Sequence, residues 1–178
     1  MRLKPSIATL LALACAMGCA SQDHPRPTET PSSATPQRLI PAASGSFDDT
    51  DGNRYRDTCT LVVYIIADET RYPLPMKARG EFEIRLEDPN GKVIAKWNLG
   101  KDQVAASIRS LPPGPGYVFS LDLRASPTTG YTDKIDQGEA MMVVKFTPEH
   151  GEPIVARTSA PILIGPISTT GRPPQTSR

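Results

Sequence analysis

The fold is decided by the stretch Gly80-Glu-Phe-Glu-Ile-Arg-Leu-Glu-Asp-Pro-Asn-Gly-Lys-Val-Ile-Ala-Lys-Trp97. Charged and apolar residues alternate from Glu81 to Glu87. This pattern indicates a β-strand with one buried face, because successive side chains of a strand point to opposite faces. Asp88-Pro-Asn-Gly91 supplies a turn, since proline presets φ and Asn-Gly tolerates positive φ. The stretch therefore predicts a β-hairpin whose apolar face needs a second sheet. That face carries Phe82, Ile84, Leu86, Val93, Ala95 and Trp97.

Strand patterns recur on both sides of this hairpin. Residues 58–66 are dense in β-forming residues on both faces, as in a central strand that is covered at least in part on both sides. Turn residues separate the later strands, which are predicted at residues 117–123, 139–146, 153–158 and 161–164. Pro161 favours a sheet edge for the last of these, because proline cannot donate to a ladder.

One segment has a helical pattern instead. Between Lys101 and Ser110, Val104 and Ile108 lie four residues apart, and Asp102 is the predicted N-cap. This short helix is expected to cross from one sheet to the other. With about six or seven strands, close turn signals and one brief helix, the sequence predicts an all-β fold, a single antiparallel immunoglobulin-like β-sandwich with one short helix.

Part of this pattern resembles accessory β-sandwich modules of bacterial surface proteins, including prealbumin-like and carboxypeptidase-regulatory-like domains. The resemblance rests on a Gly-x-Phe strand at Gly80 and a later Leu-Pro-x-Gly-x-Tyr strand, Leu111-Pro-Pro-Gly-Pro-Gly-Tyr117. It implies a module that binds, spaces or braces other proteins, without catalytic residues.

The first 18 residues are organised as an export signal. Arg2 and Lys4 precede an apolar run of about 11 residues, which is shorter than the about 20 residues of a spanning helix. The run ends at Ala16-Met-Gly-Cys19, which resembles the lipobox of bacterial lipoproteins, although Ala16 stands where Leu is commonest. The resemblance implies that residues 1–18 are removed and that Cys19 carries the acyl chains, palmitate among them.

Two alternatives to lipidation at Cys19 stay open. Cys15 is a second candidate acceptor, and an ordinary signal peptide that contains cysteines would need neither. Ala20 follows the predicted lipid-bearing cysteine, which favours the outer membrane of a two-membrane bacterium over other parts of the cell envelope.

Two polar, proline-containing segments flank the predicted domain. Residues 19–46 hold five prolines among Ser, Thr, Ala and Gln, so they are expected to form a disordered or partly extended tether that holds the domain away from the membrane. Residues 168–178 are expected to be a second disordered tail. The β-sandwich domain is therefore predicted at residues 47–167, a length that suits one domain.

The segment from residue 48 to residue 57 places oxygen donors at near-alternate positions. It resembles the short calcium loops of EF-hands, dockerins and thrombospondin repeats, which gather several oxygen ligands around a hard cation. It departs from the EF-hand in having Gly52 at the fourth position and Thr60 where a bidentate Glu is expected. The alternative is an acidic turn whose side chains bond to the local backbone. The resemblance implies a calcium site formed by Asp49, Asp51, Asn53, Tyr55 and Asp57.

Other chemistry has little support in the sequence. His24 and His150 stand alone, so a zinc site is not indicated, and phosphate-binding and nucleophile motifs are missing. Cys59 is the only cysteine of the predicted domain, so it cannot form an intramolecular disulfide, and it is predicted to be a small buried residue. Trp97 is predicted to be a core residue rather than an exposed surface on which a sugar ring stacks.

The net charge of the chain limits the classes of partner that it favours. Removal of Arg2 and Lys4 takes the formal charge from +1 to about −1, which favours neither nucleic acid nor an anionic membrane surface. The glutamates of the first hairpin strand, Glu81, Glu83 and Glu87, are expected to form cross-strand ion pairs with Lys92 and Lys96.

These observations favour a non-enzymatic, lipid-anchored envelope protein whose sandwich is a structural or protein-interaction module. Its predicted partners are the membrane, through the N-terminal lipid, and another envelope protein. The alternative is a calcium-dependent carbohydrate- or ligand-binding module. A third interpretation is a hydrolase that uses carboxylates of the polar loop at residues 126–137.

Overall fold

The structure is a computed structural model that describes Thr30, Pro31 and residues 33–167. The predicted signal, the predicted lipidation site Cys19, its alternative Cys15 and the predicted tail lie outside these residues. The described chain forms two antiparallel sheets and one α-helix. The prediction of an all-β sandwich with one short helix is confirmed.

Nine strands and the helix follow one another along the chain. They are β1 (Arg38–Ala43), β2 (Thr58–Ile66), β3 (Gly80–Glu87), β4 (Val93–Leu99), α1 (Lys101–Ala106), β5 (Ile108–Leu111), β6 (Gly114–Asp122), β7 (Gly138–Pro148), β8 (Ile154–Arg157) and β9 (Ile162–Ile164). The first sheet has the order β1-β2-β6-β5, and the second has the order β4-β3-β7-β8 with β9 also paired to β7. Lettered in chain order, these are A-B-E-D against C′-C-F-G, the arrangement of an immunoglobulin-like sandwich.

The predicted hairpin is present as β3 and β4, with Ile84 opposite Trp97. Its inward side chains meet the first sheet in an aromatic cluster. The ring of Phe82 lies with its centroid 5.4 Å from that of Tyr117, 5.3 Å from that of Phe119 and 4.7 Å from that of Phe146. Because Tyr117 and Phe119 belong to β6 in the opposite sheet, this cluster joins the two layers. Trp97 is 8 % exposed, as expected for a core residue.

The folded domain begins earlier than predicted, because β1 lies inside the segment expected to be a disordered tether. Its backbone pairs with β2 from Arg38 to Ala43, and Leu39 is buried in the core. Pro41 is tolerated because β1 is an edge strand, where a missing N–H costs little. The prolines of the segment suggest a disordered chain, and Leu39 is the only residue of β1 that is fully buried, so the sequence pattern does not indicate a strand here.

The predicted helix crosses between the sheets but is shorter than expected. It ends at Ala106, and Ile108–Leu111 form β5, which pairs with β6. Gly100, not Asp102, is the N-cap, and its backbone N–H donates to Oε1 of Gln103 at 3.0 Å. Pairing of residues 108–111 with a neighbouring strand outweighs their helical spacing. None of the described helices has the length and apolar content needed to cross a membrane.

The two sheets are also joined by backbone bonds after β1. Leu163 of β9 donates its N–H to the carbonyl of Gly45 at 3.1 Å, and Phe47 donates to the carbonyl of Leu163 at 3.1 Å. These bonds form a parallel bridge between Ser46 and Leu163. The chain therefore leaves the first sheet after β1, pairs with the second, and returns to the first at β2.

The free edge of β4 is occupied at its midpoint by a side chain. The Ser126 hydroxyl accepts from the backbone N–H of Lys96 at 3.0 Å and donates to the carbonyl of the same residue at 3.1 Å. Ser126 is fully buried. It takes the place that a residue of a neighbouring strand would have.

The outer face of the second sheet is charged and internally paired. Lys96 lies 2.8 Å from Glu83, as the cross-strand pattern predicts, whereas Glu87 pairs with Arg157 at 3.1 Å and with Arg85 at 3.4 Å rather than with Lys92. A register shift between Leu86 and Glu87 separates Glu87 from the regular alternation of the strand.

Candidate functional site

The predicted calcium loop connects β1 to β2 at one end of the sandwich. Asp49, Asp51 and Asp57 each place a carboxylate oxygen within 4.8 Å of the others. A cluster of three carboxylates at this spacing could hold a metal ion. The structure therefore brings together three of the five predicted ligands.

The other two predicted ligands are engaged in holding the loop. Oδ1 of Asn53 accepts from the backbone N–H of Tyr55 at 2.7 Å, and its amide donates to Asp133 at 2.7 Å. Tyr55 forms an isolated β-bridge with Pro166. Both residues tie the loop to neighbouring parts of the chain.

Two of the three carboxylates also form the local turns of the alternative interpretation. Asp49 accepts from the N–H groups of Gly52 at 2.7 Å and Arg54 at 2.9 Å, and Asp51 accepts from that of Asn53 at 3.1 Å. Gly52 and Arg54 have positive φ angles of 77° and 72°. Aspartate at such positions satisfies backbone donors that no strand or helix partner reaches.

Asp57 is the buried member of the cluster, with 0 % exposure. The Thr50 hydroxyl donates to its two carboxylate oxygens at 2.8 Å and 2.9 Å. Burial acts to raise the pKa of Asp57, but the hydrogen bonds from Thr50 and Thr58 and the charge of Arg124 outweigh it and lower the pKa below its ordinary value. Asp57 is therefore held in its ionised form.

Arg124 supplies a positive charge to the loop, a role that no motif in the sequence indicates. Its guanidinium lies 2.7 Å from Asp51, 3.4 Å from Asp57 and 3.0 Å from Asp122. The hydrogen bond to Asp122 is the main cause that raises the pKa of Arg124. Arg124 is 73 residues from Asp51 in the chain, so only the folded arrangement shows that the acidic loop already has a cationic partner.

The polar loop at residues 126–137 contributes a second contact. Asp133, one of its carboxylates, is 5 % exposed and accepts the hydrogen bond from Asn53 described above. Together with the contacts of Arg124, this bond joins the segment after β6 to the β1–β2 loop. These groups form one polar network that fixes the end of the sandwich.

A different surface lies on the outer side of the first sheet. Val62 of β2 is flanked by Ala42 of β1 and Val118 of β6, and Tyr64 is paired with Ile40 and lies beside Gly116. None of these side chains is charged. Ile40 is 39 % exposed, and Val62, Tyr64 and Val118 are half-buried.

Tyr64 lies flat on this surface. A Cβ at Gly116 would be 3.0 Å from Cε1 of Tyr64, so the ring crosses the place where β6 has no side chain. Its hydroxyl donates to the carbonyl of Pro112 at 3.0 Å. The ring is thereby held against the sheet and does not project from the surface.

Among the described residues, β1, β2 and β6 carry charges on this outer face only near its two ends. At the end near the acidic loop, Asp48 and Asp122 both pair with Thr58. At the other end, Arg38 pairs with Ile66. Arg109 of the edge strand β5 pairs with Gly116, one row nearer the middle, and its guanidinium donates to the carbonyls of Ala106 and Ile108. The outer face of the first sheet is thus acidic at one end, uncharged in the middle and basic at the other.

A groove lies at the end of the sandwich opposite the acidic loop, between α1 and the chain before β1. Met76 and Val104 are among the residues that line its volume of about 780 Å³. Lys101 and Glu149 form an ion pair of 3.0 Å there. Its charged groups are of both signs, and they do not form a nucleophile–base pair or a metal-ligand set.

Comparison with models of known protein families finds no match for this chain, and comparison with curated proteins finds none.

Proposed function

We propose that this chain is a non-enzymatic, lipid-anchored protein of a bacterial cell envelope, and that its sandwich is a protein-interaction module. The observation that carries the interaction role is the contrast between the two outer faces. The second sheet presents paired charges to water, whereas the middle of the first sheet presents Val62, Tyr64 and Val118 without a charge. Depletion of charge at the centre of a surface is typical of interaction sites.

The anchor is proposed from the lipobox-like Ala16-Met-Gly-Cys19. Lipidation would tether the domain through the chain before β1. Thr30 already donates to the carbonyl of Leu74, so residues 19–29 set the length of the tether and allow a reach of up to about 35 Å if fully extended. That reach is long enough for the sandwich to turn either outer face towards a neighbour on the same membrane.

Radiolabelled palmitate supplied to cells expressing the full chain tests the anchor. We expect label on the mature protein and its loss in Cys19→Ser, with Cys15→Ser as the matched control that keeps the label. Label that survives Cys19→Ser, or no label on the unchanged chain, would contradict anchoring at this residue.

A photo-crosslinking amino acid at position 62 tests the interaction role in the envelope. The control places the same amino acid at position 155, because Val155 lies on the second sheet and is 58 % exposed. We expect a discrete cross-linked product at position 62 and a weaker or diffuse product at position 155. Equal products at both positions would argue against a specific surface on the first sheet.

A calcium-dependent ligand- or carbohydrate-binding module is the second candidate, and the carboxylate cluster favours it. Asp49, Asp51 and Asp57 could supply oxygen ligands, but Arg124 already contacts two of them. A calcium ion would have to compete with the Arg124 guanidinium for Oδ2 of Asp51, since that oxygen lies 2.7 Å from it. This candidate therefore requires the contact between Arg124 and Asp51 to open.

Thermal unfolding with calcium alone tests the second candidate. If it holds, saturating calcium raises Tm, a chelator reverses the rise, and Asp51→Ala removes it, since a ligand that binds only the folded state stabilises it. Asp48→Ala is the matched control, because Asp48 lies beside the cluster but outside it. A Tm that is unchanged by calcium and by chelator would exclude this candidate.

A further inference from the structure

We infer that a second copy of this chain covers the outer face of the first sheet, in a two-fold symmetric dimer in which the facing β2 strands run in opposite directions. The inference rests on the proposed interaction role and names the partner. It explains why β2 is apolar on both faces. Its inner side chains fill the core, and its outer residues Val62 and Tyr64, which are half-buried in the single chain, become fully covered when a second surface packs on them.

The residue pairing across the sheet makes this face complementary to itself. Rows of paired residues cross β2 at Thr58, Val62 and Ile66, and Val62 is equidistant from the other two along the strand. Consider a two-fold axis that lies in the plane of the face and runs across the strands through the Val62 row. Rotation about this axis superimposes the Thr58 row of one copy on the Ile66 row of the other. The Val62 row then faces itself.

This superposition places opposite charges together. Asp48 belongs to the Thr58 row and Arg38 to the Ile66 row, and both lie on the same side of β2. Asp48 of each copy therefore faces Arg38 of the other. By the same rotation, Asp122 of β6 lies diagonally across from Arg109 of the other copy, which is one strand and one row away. Two-fold symmetry produces each of these pairings twice.

The alternative axis, parallel to the strands, produces the opposite result. It would bring the acidic row of one copy onto the acidic row of the other, and the basic ends onto each other. Like charges brought together at an interface are costly. Charge therefore selects the arrangement in which the strands run in opposite directions.

One of the four charges is free for such pairing. Asp48 has no ion-pair partner among the described residues, whereas Arg38 pairs with Glu69 and Asp122 pairs with Arg124. Arg109 forms no ion pair among the described residues but donates to the carbonyls of Ala106 and Ile108. The new pairs would lie at the rim, where they set register more than affinity. The affinity would come from the uncharged centre.

The size of the face fits a weak dimer. Its four strands have 6, 9, 9 and 4 residues, and at about 3.3 Å per residue and about 4.8 Å between strands they cover about 440 Å² per copy. The two copies together would cover about 900 Å², within the range below about 1,200 Å² that is typical of weak, transient contacts. Confinement of both copies to one membrane would raise their effective concentration and favour such a dimer.

Thiol cross-linking of the full chain in its envelope tests this arrangement. The Val62 positions of the two copies face each other across a sheet-to-sheet spacing of about 10 Å, so Val62→Cys is expected to give a cross-linked homodimer with a bis-maleimide of about that length. Val155→Cys is the matched control and is expected to give none. Native Cys59 is fully buried and present in both variants.

Exchanging the charges of Asp48 and Arg38 distinguishes this dimer from other arrangements of two copies. In the Val62→Cys background, Asp48→Arg is expected to lower the cross-linked fraction at least about threefold, because it faces Arg38 of the other copy. Adding Arg38→Asp is expected to restore the fraction. A product of another mass at position 62, an equal dimer yield from Val155→Cys, or failure of the exchange to restore the yield would each overturn the inference. Palmitate labelling in the same cells reports the anchor separately, so the failure of one proposal is distinguishable from the failure of the other.

Discussion

Replacing Phe82 with Ala is expected to lower the free energy of unfolding by about 3–5 kcal/mol, the range for deleting a buried aromatic ring. Phe82 is 2 % exposed, and its ring contacts aromatic residues from both sheets. Removal leaves a cavity where the two layers meet, and the surrounding rings can fill it only in part. Urea unfolding, monitored by Trp97 fluorescence, measures the change.

Val155→Ala is the control for this prediction. It shortens an exposed side chain of the second sheet and is expected to change the free energy of unfolding by less than about 0.5 kcal/mol. Loss of less than about 1 kcal/mol in Phe82→Ala would contradict the central position of the ring.

Replacing Asp57 with Ala is expected to cost about 2–4 kcal/mol of unfolding free energy, because it leaves the Thr50 donors without their acceptor and removes a buried partner of Arg124. Asp48→Ala changes an exposed carboxylate in the same loop and is expected to have an effect within about 0.5 kcal/mol. Chemical unfolding of the two variants at neutral pH makes the comparison. Equal stability of the two would show that the network does not hold the loop.

The same residue gives the protein an acid-dependent stability. The pKa of Asp57 is lower in the folded chain than its ordinary value of 3.8, so the folded state favours the ionised form. This contribution is fully present above the ordinary pKa and is lost as the pH falls through the lowered, folded value. The stability difference between the unchanged chain and Asp57→Asn is therefore expected to shrink below about pH 4. A constant difference down to pH 2 would argue against this assignment.

The parts of the fold that follow from the sequence are those with strong alternation. The hairpin of β3 and β4 follows from the alternation of Phe82, Ile84 and Leu86 at every second position and from the turn residues Asp88 to Gly91. The later strands were predicted within a few residues for the same reason. Their turns contain Gly, Pro and Asn, whose backbone preferences are local and visible in the sequence.

The parts of the fold that do not follow from the sequence depend on pairing with strands that are distant along the chain. β1 is a strand because β2 offers it an unpaired edge, and its own composition resembles that of a tether. β5 has helical spacing at Ile108 and becomes a strand only through pairing with β6. In both cases the backbone pairing of the neighbour outweighs a weak local preference.

The candidate sites divide in the same way. The grouping of Asp49, Asp51 and Asp57 follows from their spacing in one loop. The contact with Arg124 does not, because it depends on where the chain after β6 ends in the fold. The outer face of the first sheet is partly visible in the sequence, since residues 58–66 are apolar on both sides. The opposite charges at its ends emerge only once the register of β1, β2 and β6 is known.

The hydroxyl of Ser126 has a consequence for how these molecules can associate. An exposed strand edge can recruit a strand from another molecule, which leads to open-ended aggregation. By satisfying both backbone groups of Lys96, Ser126 removes the middle of β4 as a template for such growth. Strand addition at this edge would continue from molecule to molecule, whereas the two-fold dimer that we propose stops at two copies.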